Sequence, residues 1–159
     1  MDVCQKDFTP SYSRAASGYK GMSDYQITEL EKNIVSAIQS AVPGLKAVYL
    51  FGSAIKGDMH DNSDIDLAIW TEQPLSALAL WDLRQLMETI VQRPVDLIDL
   101  NKATTVMRMQ IVSQGKRLYC QDFSACEQFE DFVFSDYVRL NEERHEILES
   151  IRQQGRIYG

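Results

Sequence analysis

The apolar run Ala47-Val48-Tyr49-Leu50-Phe51 is short enough for a strand and continuous enough for one buried on both faces. Ile65 to Trp70 has the same character, as does Val95 to Leu100 behind Pro94, and Lys116 to Cys120 reads as a short edge strand. Between these runs the apolar period changes to three and four. Ile27, Leu30, Ile34, Ala37 and Ile38 form one stripe of a helix over about 24 to 42, with Ser23 as its N-cap and Pro43-Gly44 as its stop. Pro74 suits the first turn of a second helix reaching about 91. Its broad apolar face includes Leu78, Trp81, Leu83 and Met87, and Trp81 is read as a core or interface aromatic rather than a base-stacking one. A third helix covers 103 to 114 and ends at Gly115. From 123 to 154 comes a long helix or helix pair, with Val133, Tyr137, Leu140, Arg144, Ile147 and Ile151 at three-four spacing. The division that follows is an N-terminal tail over 1–22, a core over 23–122 and a C-terminal helical segment over 123–159.

Composition narrows the class. The 159 residues suffice for one domain with a helical appendage. No apolar run approaches the roughly 18–20 residues that cross a membrane, and the N-terminus lacks the apolar centre of a signal peptide. A formal net charge of −7 argues against direct, nonspecific binding of nucleic acid, and fits a protein steered towards a basic partner. Cys4, Cys120 and Cys126 are odd in number and lack metal-site spacing, which points to free thiols and a cytoplasmic location.

The chemistry gathers between the first two strands. Gly52-Ser53 closes the first: the glycine lets a backbone approach a phosphate, and the serine hydroxyl with nearby N–H groups can hold its oxygens. Asp64 and Asp66 open the second strand and point to one side, about 6.5–7 Å apart along it. That suits two acids sharing hard cations, and a metal pair can clamp the attacking and leaving oxygens of a phosphoryl transfer. Lys56 is a candidate phosphate contact. His60 lies in the same loop and is given no role. In the third strand Asp96 and Asp99 fall on opposite faces, so only one can join the pair. Asp96 is preferred: it lies early in an otherwise buried strand, where an acid needs a cation, and its two-residue offsets place it beside the inner face. Asp99 is the fallback, or a cap for the next turn. Arg108 is read as solvated in preference to a phosphate contact.

Gly52-Ser53, ten residues, Asp64, one residue, Asp66: this spacing resembles the signature of the DNA polymerase β-type nucleotidyltransferase superfamily. The resemblance implies a small mixed β-sheet flanked by helices (α/β, α+β) with a C-terminal helical extension, and Asp96 as the third acid of a triad. From Phe51-Gly52-Ser53, Ser63 to Leu67, Val95 to Leu100 and the tail from Asp136 to Gly159, the chain is similar to the minimal nucleotidyltransferase antitoxins of the MntA type, paired with HEPN toxins. That implies transfer of AMP from ATP to a tyrosine of a HEPN ribonuclease toxin, pyrophosphate release, and two Mg²⁺ ions held by Asp64, Asp66 and Asp96. The chain has little left beyond a core, which itself favours a protein acceptor. A binding-only antitoxin and a small-molecule (antibiotic) nucleotidyltransferase are the alternatives. Arg139 and His145 resemble the Arg–His arrangement of HEPN ribonucleases themselves, but sit in a charge-dense helical stretch read as a solvated face.

Overall fold

The computed structural model describes residues 28–56 and 63–155. Nine elements run in the order α1 (Glu29–Ala41), β1 (Leu45–Phe51), α2 (Ser53–Lys56), β2 (Ile65–Thr71), α3 (Ala77–Val91), β3 (Val95–Asp99), α4 (Thr105–Gln114), β4 (Lys116–Cys120) and α5 (Phe123–Gln154). The four strands form one mixed sheet in the order β3-β2-β1-β4. β1 is antiparallel to β2 and β4, while β2 and β3 are parallel, joined by the crossover through α3. The apolar runs of β1 and β2 are central strands and are buried on both faces.

Strand alternation splits the core in two. Val48, Leu50, Leu67, Ile69 and Leu97 face α1 and α3, meeting Ile34, Ile38, Leu83 and Met87. Ala47, Tyr49 and Ala68 face the other way, towards Ile111 of α4 and Cys126 of α5. On that second face Trp70 stacks on Phe129 of α5, ring centres 4.3 Å apart.

Helix ends depart from the sequence expectation in instructive ways. α1 is capped by Thr28, whose hydroxyl accepts from Glu31 N while Glu31 reaches back to the Thr28 N–H. Ser23 lies outside the described residues. Glu31 is also paired with Lys116 of β4 at 2.9 Å, so the cap ties α1 to the sheet edge. α3 starts at Ala77 behind Ser76, not at Pro74, and ends through Gln92 in the left-handed region (φ 57°). On its surface Trp81 is 54% and Leu78 69% exposed, so Trp81 is not a core residue. α4 begins two residues later than expected, behind its cap Thr104. Arg108 is half-buried, and its guanidinium donates to the Leu100 and Asn101 carbonyls at 2.7 and 2.9 Å. α5 is one uninterrupted helix. Cys120 and Cys126 are buried and unbridged.

One buried polar cluster pins α5 to the sheet. Arg117 of β4 donates to Glu130 at 3.0 Å and pairs with Glu127 at 3.5 Å, and the Tyr49 hydroxyl donates to Glu130 at 2.9 Å. Burial raises the Glu130 carboxyl above the ordinary carboxylate range, with the Arg117 guanidinium opposing the shift. Burial likewise raises the Tyr49 phenol. Removing one partner of such a pair leaves a desolvated charge behind, so Arg117→Ala is expected to cost about 3 kcal/mol or more in urea unfolding. Tyr49→Phe, which loses one hydrogen bond, is expected to cost about 1 kcal/mol. Equal losses in the two variants would contradict this account of the cluster.

Candidate functional site

The candidate residues converge at one end of the sheet because of its strand registers. β1 runs towards that end and finishes at Phe51, opposite Asp66 of β2. β2 and β3 both start there, with Asp66 directly beside Asp96. Asp66 and Asp96 therefore project from the second face, and Asp64, two residues earlier, falls on the same side. Asp64 and Asp96 are exposed and Asp66 is half-buried. Asp96 itself is exposed although Val95 and Leu97 on either side are buried, and the parallel register of β3 brings it beside Asp66. Asp99 points to the opposite face, is buried, and accepts from Leu75 N at 2.9 Å and Asn101 N at 3.0 Å. It ties the turn after β3 to the start of the α3 segment and does not reach the acid row.

Gly52 meets this row directly. Its φ is +76°, in the region that favours glycine, and a Cβ built on it would lie 2.0 Å from the Asp66 carboxylate. The backbone turn and the acid therefore touch, and no larger residue fits between them. Ser53 follows as the first residue of α2, held by the Ile55 N–H to Gly52 carbonyl bond at 3.2 Å. Lys56 is the last residue of that helix. His60 falls outside the described residues. Phe51, half-buried beside Asp66, is a wall of the site that sequence reasoning counted only as strand core. Its parity with Tyr49, two positions back, is the signal that places it on this face.

Electrostatically the row is unbalanced. Partial burial raises the Asp66 carboxyl above its usual range, and the charges of Asp96 and Asp64 raise it further. Among the described residues no three His, Cys, Asp or Glu side chains are drawn together tightly enough to hold a metal as they stand. Mutual repulsion gives a physical reason for a row of carboxylates to stay open. The donor chemistry, all oxygen and all anionic on one face, fits a hard divalent cation. Arg139 and His145 form no comparable centre: six residues apart on α5 they lie about 120° apart around the helix, and Arg139 is paired with Asp136.

A glycine turn abutting a row of strand carboxylates, on a small mixed sheet between helices, defines a nucleotidyltransferase type of domain. The chain matches the "Polymerase beta, Nucleotidyltransferase" family over residues 32–124 and belongs to that family. It is 36% identical over 121 residues to the protein adenylyltransferase MntA of Shewanella oneidensis, covering 76% of this chain and 86% of that protein. The MntA of Aphanizomenon flos-aquae is 24% identical over 120 residues, or 69% of this chain and 80% of that protein. Among solved structures, a toxin–antitoxin with AMP-PNP is similar at TM-score 0.70 and 36% identity, over 77% of this chain and 98% of the other. A tri-AMPylated Shewanella oneidensis HEPN toxin in complex with its MNT antitoxin is similar at TM-score 0.65 and 32% identity, over 77% of this chain and 96% of the other.

Two stability measurements test the site's construction. The folded state holds the Asp66 proton more tightly than the unfolded chain does, so this group's contribution is present below pH 3.8 and is lost as pH rises through its raised folded value. Asp66→Asn is thus expected to raise Tm at pH 7, the gain fading as pH falls through the raised value of Asp66 and gone below 3.8. Gly52→Ala is expected to destabilise by about 1–3 kcal/mol through its positive φ. Part of that loss should be recovered in Gly52→Ala/Asp66→Ala, where the Cβ no longer meets a carboxylate; simple additivity would contradict the contact.

Proposed function

We propose that this protein is an antitoxin that transfers AMP from ATP to a tyrosine hydroxyl of a partner HEPN-family ribonuclease toxin, releasing pyrophosphate and silencing the toxin. The observation that carries the reading is the contact between the Gly52 turn and the Asp66 carboxylate within the Asp64–Asp66–Asp96 row. A glycine turn against a row of oxygen donors is the arrangement a nucleotide phosphate carried on a hard cation calls for. Its likeness to the S. oneidensis MntA adenylyltransferase and to HEPN toxin complexes supports the substrate and the partner.

Gly52 and Ser53 position the β- and γ-phosphates of ATP, with Lys56 a further candidate contact. Asp64, Asp66 and Asp96 would hold two Mg²⁺ ions, which supply the positive charge that lets an anionic nucleotide sit against three carboxylates and that offsets charge developing on the α-phosphate and the departing pyrophosphate. The acceptor hydroxyl oxygen bonds to the α-phosphorus as the bond from that phosphorus to the α–β bridging oxygen breaks. Asp96, exposed on the strand beside Asp66, binds the second metal or draws the hydroxyl proton. Exposure of Asp64 and Asp96 also suits a macromolecular acceptor, which can bring its own surface over the site. Among the described residues no helix is long and apolar enough to cross a membrane. The burial of Cys120 and Cys126 suits a reducing cytoplasm.

The test is the intact mass of the HEPN toxin after incubation with this protein, ATP and Mg²⁺. Mass increments of one or more AMP units are expected, with EDTA blocking them. Asp64→Ala and Asp66→Ala should lower the rate by at least about 10²-fold without loss of fold. A toxin held in a stable complex without any mass change would overturn transfer in favour of occlusion.

A further inference from the structure

The Gly52 turn is held from two sides, and the acid row is only one of them. β1 lies between β2 and β4, so its last residues have a neighbour on each flank. On the β4 flank the last pair is Leu50 with Lys116, two residues before Gly52. The chain enters β4 there through Gly115, whose N–H donates to the Ile111 carbonyl at 2.8 Å and closes α4. A Cβ built on Gly115 would lie 2.4 Å from the Ile111 carbonyl oxygen and 3.1 Å from that of Leu50. Both obstacles are backbone, so no side-chain rotation relieves them. The end of α4 and the end of β1 therefore meet across a residue that has room only for glycine, although its φ of −80° is open to any residue.

Lys116 fastens this junction to α1. Its ammonium donates to both oxygens of the Glu31 carboxylate, at 2.9 and 3.2 Å. Glu31 also accepts from the Thr28 N–H at 3.0 Å, so one carboxylate caps α1 and holds the first residue of β4. The two side chains are only 17% and 12% exposed, which shields the charge-assisted bonds from water. β4 starts where β1 finishes, so the pair sits at the same end of the sheet as the Gly52 turn. Ala54 and Ile55, directly after the turn, pack against the core that holds Leu50, directly before it. On the β2 flank the turn has no slack, because Gly52 already touches the Asp66 carboxylate. Slack on the β4 flank would let the turn drift off the row, and a phosphate held by Gly52 and Ser53 would drift with it. We infer that Gly115, Lys116 and Glu31 are positioning residues for nucleotide binding: they hold the Gly52–Ser53 turn at its distance from the acid row without touching the nucleotide. This inference rests on the reading of Gly52 and Ser53 as the phosphate cradle.

The experiment measures AMP-PNP binding with Mg²⁺ by calorimetry, Tm, and initial rates of AMP transfer to the HEPN toxin. Glu31→Gln keeps an oxygen for the cap and loses the charge that Lys116 pairs with; Lys116→Met loses the other charge. Both should stay folded at the assay temperature and bind AMP-PNP about 10-fold more weakly. Transfer should show the loss in KM for ATP with kcat little changed. Lys116→Arg, which keeps a cation for Glu31, should recover most of the loss, and Gly115→Ala should weaken binding in the same sense. In a Ser53→Ala background Glu31→Gln should cost less than in the parent, since both act on one phosphate contact. If Lys116→Met does not fold, Glu31→Gln carries the same test with the cap of α1 in place. Parent-like AMP-PNP binding with only Tm lowered makes the pair a structural tie, and overturns the inference while leaving the transfer reading intact. Full additivity with Ser53→Ala does the same. Weakened binding in these variants with no transfer by the parent leaves the inference standing and overturns the transfer reading. A parent chain that does not bind AMP-PNP overturns both.

Discussion

The antiparallel register of β1 on β2 is the constraint on which the site depends. It sets Phe51 opposite Asp66, so that the chain leaving β1 must turn within reach of a carboxylate. Only a residue without a Cβ passes there, and Gly52 does so with a positive φ. A one-residue slip would turn Asp66 towards the α1–α3 core and Leu67 or Ile65 towards the Gly52 turn. The burial of Leu67 and Ile69 in the first core resists that slip, so the apolar packing on one face holds the acid row in place on the other.

Each later element adds to that register. The parallel pairing of β3 brings Asp96 beside Asp66, and the α3 crossover that parallel strands require fills the first core with Leu83 and Met87. Asp99 lies on the other face of the same strand and fastens the segment before α3 through Leu75. Two acids three residues apart thus serve opposite purposes: one is turned to solvent in the row, the other is consumed as a buried hydrogen-bond acceptor. The row itself is electrostatically costly, as the raised proton affinity of Asp66 indicates. Functional carboxylates commonly carry such a cost, and here the rest of the fold carries it.

On the second face α5 has two unlike halves along one helix. Its first half is fixed by the Arg117–Glu130–Tyr49 cluster and the Trp70–Phe129 stack. Its second half leaves the domain with its aliphatic stripe uncovered among the described residues.

The sequence by itself determined the strands, most of the helices and the side of the second strand on which Asp64 and Asp66 fall. Those features are local: period, caps and the Gly-Ser to Asp-x-Asp spacing are all written within short stretches. Strand parity also sufficed to separate Asp96 from Asp99, because alternation puts neighbours at odd offset on opposite faces. What it could not decide was which of the two faces the acid row occupied, or that Asp96 stands exposed beside Asp66 through the parallel register of β3. The exposure of Trp81, the guanidinium of Arg108 turned back onto the Leu100 carbonyl, and the continuation of α5 past its own support were likewise decided only by tertiary structure. Each depends on which segments pack together, and a three-four stripe reads the same in sequence whether a neighbour covers it or not.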